Sequence, residues 1–169
     1  MSSQLRSALI RSARRTCTGV TPYTSKRTLI TLKDHIYFAR ATAEGAGRAG
    51  IVTSDGDAPL ELKLALPKAF GGKGDGQNPE QLFAMGYSSC FIGAIQLAAS
   101  RAGKKEVGDR AKVHAKVYLG HPTDREGFGL KVDINVEGVE DDAIIAAAHD
   151  ICPYSLALRE GIEVNVAKA

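Results

Sequence analysis

The sequence predicts an α+β fold, with antiparallel strands around a buried central helix. Three observations predict it. Residues 36–66 hold three alternating apolar/polar segments separated by turn residues. Residues 78–102 read as one long helix, apolar on nearly every face. Residues 110–138 hold two more alternating segments. Successive strands joined by short turns pair antiparallel, and strands kept apart from helices make an α+β chain.

Each element has its own signal. Residues 36–44 (IYFARATAE) alternate and carry β-branched and aromatic side chains, which predicts a strand. The turn Gly45–Gly47 leads to a second strand at 50–54, and Asp55-Gly56 turns the chain into a third at 60–66. A Gly-rich loop over 67–77 precedes Asn78-Pro79-Glu80-Gln81. There Asn78 suits the cap, Pro79 the first helical position and Gln81 a capping box. The helix runs to about Ala102 and stops at Gly103. Phe83, Met85, Cys90, Phe91, Ile92, Ile95 and Leu97 spread around it, which predicts burial. Strands at 110–120 and 128–138 flank a turn at 121–127. A helix over 140–151 ends at Cys152-Pro153, because proline disfavours helical geometry in the residue before it. A turn at 154–159 and a strand at 162–166 complete the expected elements.

Composition narrows the function. At 169 residues, the chain suits one domain with a real core. Seven of its 22 basic residues lie in positions 1–33, which hold no acid. The other 15 meet all 19 acids, so the body carries a net charge of −4. A body of that sign is a poor partner for nucleic acid, whose affinity comes largely from cations on phosphates. The first 33 residues are rich in Arg and Ser, and Leu5, Leu9 and Ala13 fall on one side of a helix. They are expected to be a mitochondrial transit peptide, with a disordered basic leader and a cytoplasmic protein as the alternative. Residues 34–169 form the single folded domain. The most apolar run, Cys90–Ala99, falls short of the roughly 20 residues of a membrane span.

One motif match fails, and other motifs are absent. Gly45–Gly50 matches a dinucleotide-binding glycine string, but Ile51-Val52-Thr53 continues as strand where a helix is required. The four histidines lack zinc-ligand spacing, and no Cys-x-x-Cys exists. The cysteines remain. Cys17 belongs to the leader, which leaves Cys90 and Cys152. Cys90 lies in the apolar helix, where a thiol is most often a small hydrophobe. Cys152 stands at a helix end ahead of a proline, able to approach a partner without breaking a helix. A thiol attacks only as thiolate, and apolar surroundings raise its pKa. Chemistry at Cys90 therefore needs a cation, best an arginine held by a carboxylate. Which arginine and which acid the spacing leaves open.

Residues 78–91 (NPEQLFAMGYSSCF) closely resemble the signature of the organic hydroperoxide resistance (Ohr) proteins, in the superfamily of osmotically inducible protein C (OsmC). Residues 148–155 (AHDICPYS) resemble the second signature, and 45–56 the first hairpin. The likeness spans 34–169. It implies an OsmC/Ohr-like intertwined homodimer with active sites at the interface. It implies Cys90 as the peroxidatic cysteine and Cys152 as the resolving one. It also implies that Arg48 stabilises the thiolate and polarises the peroxide, with Glu80 holding Arg48. Alkyl and fatty-acid hydroperoxides would be the substrates and a lipoylated protein or dihydrolipoamide the reductant. One departure is visible. Leu156–Gly161 replaces the family's usual Ala-Thr-Arg-Gly-Asn run after the second motif.

The chemistry fits these roles. Cys90 thiolate attacks ROOH, the alcohol leaves, and the resulting sulfenic acid condenses with Cys152 to a disulfide. A dithiol then restores the pair by exchange, with no metal or organic cofactor required. Rival readings are a non-catalytic binding module of the same fold, a redox sensor, and the osmotically inducible branch of the superfamily.

Overall fold

The computed structural model describes residues 29–168. Three strands come first: β1 (Arg40–Glu44), β2 (Ile51–Asp55) and β3 (Leu60–Lys63). They form an antiparallel meander with Arg40 opposite Asp55 and Ile51 opposite Lys63. The long helix α1 (Pro79–Arg101) follows, then a short helix α2 (Lys105–Arg110). A hairpin of β4 (Lys112–Gly120) and β5 (Gly129–Glu137) pairs in register over nine residues of each strand. Helices α3 (Asp142–Ile151) and α4 (Pro153–Glu160) close the order. The class is α+β with antiparallel sheets, as the sequence predicts.

The start of α1 is built as the sequence implies. The Gln81 backbone N–H donates to Asn78 Oδ1 at 2.9 Å, and the Asn78 backbone N–H donates to Gln81 Oε1 at 3.0 Å. Two of the helix's orphan donors are thereby satisfied, with Pro79 at the position that needs none. The core lies along one side of α1. Tyr87, Phe91, Ala94, Ile95, Ala98 and Ala99 pack with Ala111, Val139, Ile144, Ala148 and Cys152. α1 is long and apolar enough to span a membrane, a property that core helices of soluble proteins share, and 33% of its most apolar stretch is buried within the chain. Its opposite stripe, Met85, Ser89, Gly93 and Leu97, is exposed. The expected burial on every face therefore holds for one side of α1 in a single chain.

Four other expectations are corrected. Residues 36–39 do not extend β1, because the facing strand ends at Asp55 and leaves them no ladder partner. Ile36, Tyr37 and Phe38 stand 80–96% exposed. The third strand stops at Lys63, and Leu64 instead bridges Gln77 across the base of the Gly-rich loop. The expected strand 162–166 reduces to one parallel bridge between Ile162 and Ile30. The expected turn at 154–159 is helix α4, because Pro153, which stops one helix, also fits the first position of the next. Helix α2 carried no strong sequence signal. It has six residues and no side-chain cap.

The β1–β2–β3 sheet buries none of its residues within the chain. Ile51 and Leu60 are among its exposed side chains. Of the expected leader, residues 1–28 lie outside the described residues. The Ile30 N–H donates to the Gly161 carbonyl at 3.1 Å, so the chain from there on is tied to the body.

Candidate active site

The middle of one helix and the junction of two others bring the thiols together. Cys90 lies partly buried midway along α1, whereas Cys152 is fully buried between α3 and α4. Their Sγ atoms are 3.5 Å apart and unbonded. A disulfide needs about 2.05 Å between sulfurs, so a small side-chain movement closes the gap. Cys152 has extended backbone geometry, capping α4 after α3 has ended. Neither helix has to unwind for Cys152 to advance.

Burial pushes the Cys90 thiol above its ordinary pKa. The backbone N–H of Tyr154 opposes that shift, and the neighbouring Cys152 thiol adds to it. That N–H belongs to the first turn of α4, where donors lack partners within the helix. Sequence patterns missed this donor because α4 itself was missed. An ordinary thiol is only a few per cent thiolate at pH 7, and a raised one is less. Among the described residues no cation acts on Cys90.

Arg48 and Glu80 form the second cluster. Arg48 sits in a short 3-10 turn, Gly47–Ala49, between β1 and β2. Gly50 lets that turn close, since a Cβ there would overlap the Glu44 carbonyl. Glu80 lies in the first turn of α1. Arg48 Nη2 donates to Glu80 Oε1 and Oε2 at 2.6 and 2.5 Å. One nitrogen therefore holds both carboxylate oxygens. Nη1 and Nε make no hydrogen bond among the described residues. The Arg48 side chain is 42% exposed. An ion pair at that exposure is worth about 0–1 kcal/mol, too little to explain its construction by stability.

The two clusters do not meet. Glu80 and Cys90 are ten positions apart on one straight run of helix, or about 15 Å along its axis at about 1.5 Å per residue. The structure thus pairs Cys90 with Cys152 and Arg48 with Glu80, but joins no thiol to the arginine. Beside Arg48, Leu66, Phe70, Leu119 and Phe128 line an apolar cavity of about 270 Å³. Among the described residues no cluster of His, Cys, Asp and Glu has the makings of a metal site. His149 is exposed in the last turn of α3, its ring 6.4 Å from that of Phe91. The divergent run Leu156–Glu160 continues α4, and Arg159 ties it to α3 through Asp150 at 3.1 Å.

The sequence model of the OsmC-like protein family matches residues 72–167. An organic hydroperoxide resistance protein of Xanthomonas axonopodis pv. citri is 39% identical over 140 residues, 79% of this chain and 95% of that protein. The crystal structure of the organic hydroperoxide resistance protein OhrB of Bacillus subtilis superposes with a TM-score of 0.62 at 34% identity, over 78% of this chain and 97% of that one. One from Elizabethkingia anophelis gives a TM-score of 0.59 at 42% identity, over 77% of this chain and 94% of that one. The matched region contains α1 with Cys90 and Glu80, the α3–α4 junction with Cys152, and the hairpin between them. Motif, fold and length agree: the chain belongs to the organic hydroperoxide resistance proteins of the OsmC-like family.

Proposed function

We propose that this chain is a thiol-dependent peroxidase that reduces alkyl and fatty-acid hydroperoxides to alcohols. The observation that carries the reading is the 3.5 Å approach of two unbonded cysteines, one partly open and one fully buried. Cys90 is the nucleophile. Its thiolate attacks the terminal peroxide oxygen, the O–O bond breaks, and the alkoxide leaves with a proton as the alcohol. Cys90 becomes a sulfenic acid, and Cys152 resolves it with loss of water. A lipoyl dithiol restores the pair by exchange. Cys90 is the more open sulfur, so an incoming dithiol meets it first.

The cation that attack requires comes from a second copy of the chain. Within one chain Arg48 is held by Glu80, which lies ten positions, or about 15 Å along the helix axis, from Cys90. A two-fold pairing that set the α1 helices side by side in antiparallel fashion would bring the Arg48–Glu80 pair of one protomer to Cys90 of the other. Several surfaces favour that pairing. The exposed stripe of α1 carries Met85 and Leu97, the meander sheet has no buried residue, and Ile36, Tyr37 and Phe38 stand in solvent. Each large apolar side chain left in water forgoes about 1.5–3 kcal/mol, so covering these faces drives association. The apolar cavity beside Arg48 suits an alkyl chain whose hydroperoxide end meets the guanidinium.

Steady-state turnover tests the reading, with a fatty-acid hydroperoxide compared against hydrogen peroxide, and dihydrolipoamide against reduced thioredoxin. Rapid turnover is expected only for the organic substrate with the lipoyl donor. No consumption of any peroxide would leave a binding module of the same fold. One slow oxidation to a stable disulfide would leave a redox sensor.

Residues 34–169 form the peroxidase domain in this reading, and the basic segment before it directs import into mitochondria. Its Arg-rich, acid-free composition supports this. Residues 1–33 fused to a fluorescent reporter are expected to carry it into mitochondria. A reporter left diffuse in the cytosol would refute the address.

A further inference from the structure

Tyr87 and Ser155 are buried polar residues that the chemistry above does not use. The Tyr87 hydroxyl and Ser155 Oγ are 2.8 Å apart, with the residues 4% and 1% exposed. Their placement repeats that of the cysteines. Tyr87 precedes Cys90 by three positions on α1, one helical turn away on the same side. Ser155 follows Cys152 by three positions, one turn into α4. The same two helices are thus joined twice, once by the sulfurs and once by this bond. Aromatic packing supports the junction. The Tyr154 ring stacks on Phe83 at 6.2 Å and tilts against Tyr87 at 5.7 Å. Gly86 permits the approach, since a Cβ there would lie 3.2 Å from the Tyr154 hydroxyl.

We propose that the Tyr87–Ser155 hydrogen bond is a positioning device that holds Cys152 in line with oxidised Cys90. The inference rests on the peroxidase reading for its kinetics, but not for the geometry itself. In the resolving step, the Cys152 thiolate attacks the Cys90 sulfur. The S–S bond forms, the S–O bond breaks, and hydroxide leaves as water after taking a proton. Cys152 is oxidised and the sulfenic sulfur reduced. This step competes with further oxidation of the sulfenic acid by peroxide. Displacing a reacting group by about 1 Å can cost about a hundredfold in rate, and α4 has only eight residues and no side-chain cap to fix it. Apolar packing alone allows sliding and rotation. A buried, directional bond one turn from the sulfurs allows neither.

The test uses Tyr87→Phe, Ser155→Ala and the double variant in the full chain. Breaking one side of a buried bond strands a polar group, whereas removing both partners can be nearly neutral for stability. After one equivalent of an organic hydroperoxide, sulfenic acid is expected to form at the wild-type rate in all three. Disulfide formation is expected to slow by about tenfold to a hundredfold. Mass spectrometry should find correspondingly more Cys90 sulfinic acid. The double variant is expected to resolve as slowly as the singles while melting near the wild type. Recovery of fast resolution in the double variant, or unchanged resolution in all three, would overturn the proposal. A second readout needs no peroxidase activity. In glutathione redox buffers, each tenfold loss in disulfide stability raises the reduction potential by about 30 mV. A shift of that size in all three variants supports the positioning role even if wild type consumes no peroxide. Wild-type potentials in all three would sink it.

Discussion

Cys90→Ser is expected to abolish turnover of an organic hydroperoxide, and Cys152→Ser to leave a single turnover. The first effect follows from ionisation. A serine hydroxyl supplies no anion at neutral pH, whereas a thiol supplies some even when burial raises its pKa. The second follows from geometry. With Sγ atoms 3.5 Å apart, Cys152 is, among the described residues, the thiol in position to receive the oxidised Cys90. Without it, Cys90 consumes about one equivalent of peroxide, then rests as sulfenic acid or proceeds to sulfinic acid. Peroxide consumption and intact-protein mass, followed together, check both outcomes. Turnover above a trace in Cys90→Ser would remove it as the nucleophile. Sustained turnover of Cys152→Ser with a lipoyl donor would remove Cys152 from the cycle.

Much of the scaffold was legible because it depends on local chemistry. Asn78, Pro79 and Gln81 name a helix start, and the structure builds that capping box bond for bond. Alternation in 110–120 named a strand, and β4 over Lys112–Gly120 alternates exposed and half-buried side chains. Signals that serve two elements at once were harder to read. Pro153 was legible as an ending because it restricts Cys152, yet it also opens α4. Missing α4 hid both the Tyr154 N–H on Cys90 and the Tyr87–Ser155 bond. Residues 36–39 carry strand-like side chains, but a strand requires a ladder partner, and β2 ends too early to supply one. The candidate site divides in the same way. Placement in the predicted helices singled out both cysteines, and thiolate chemistry in an apolar site the need for a cation. The pairing of Arg48 with Glu80, 32 positions apart, came only from the family likeness, because no periodicity links a hairpin turn to a helix start.

A heterodimer of two disabled chains, Cys90→Ser and Arg48→Ala, is expected to regain activity that neither homodimer has. Arg48→Ala alone should lose about a hundredfold or more, since removing one preorganised donor from a reacting oxyanion typically costs that much. It should also raise the Cys90 pKa, read from the pH dependence of thiol alkylation, at about 1.4 kcal/mol per unit. Glu80→Ala should be milder, because the cation stays but loses its anchor. Arg48→Lys should rescue poorly, because an ammonium lacks the planar guanidinium fork and its remaining donors. These single variants test the role of Arg48 but not which chain supplies it. The heterodimer does. If each site takes Cys90 from one protomer and Arg48 from the partner subunit, the mixed pair holds one intact site and one doubly disabled site. Isolated through two different affinity tags, it should show about half the wild-type activity per dimer under two-fold symmetry. Its one intact Cys90 should also ionise with the wild-type pKa. A chain that built its own site could not respond in this way, because every site in the mixture would carry one lesion. A heterodimer as inactive as its parents would therefore place Arg48 and Cys90 in the same protomer's site, against the roughly 15 Å of helix between Glu80 and Cys90.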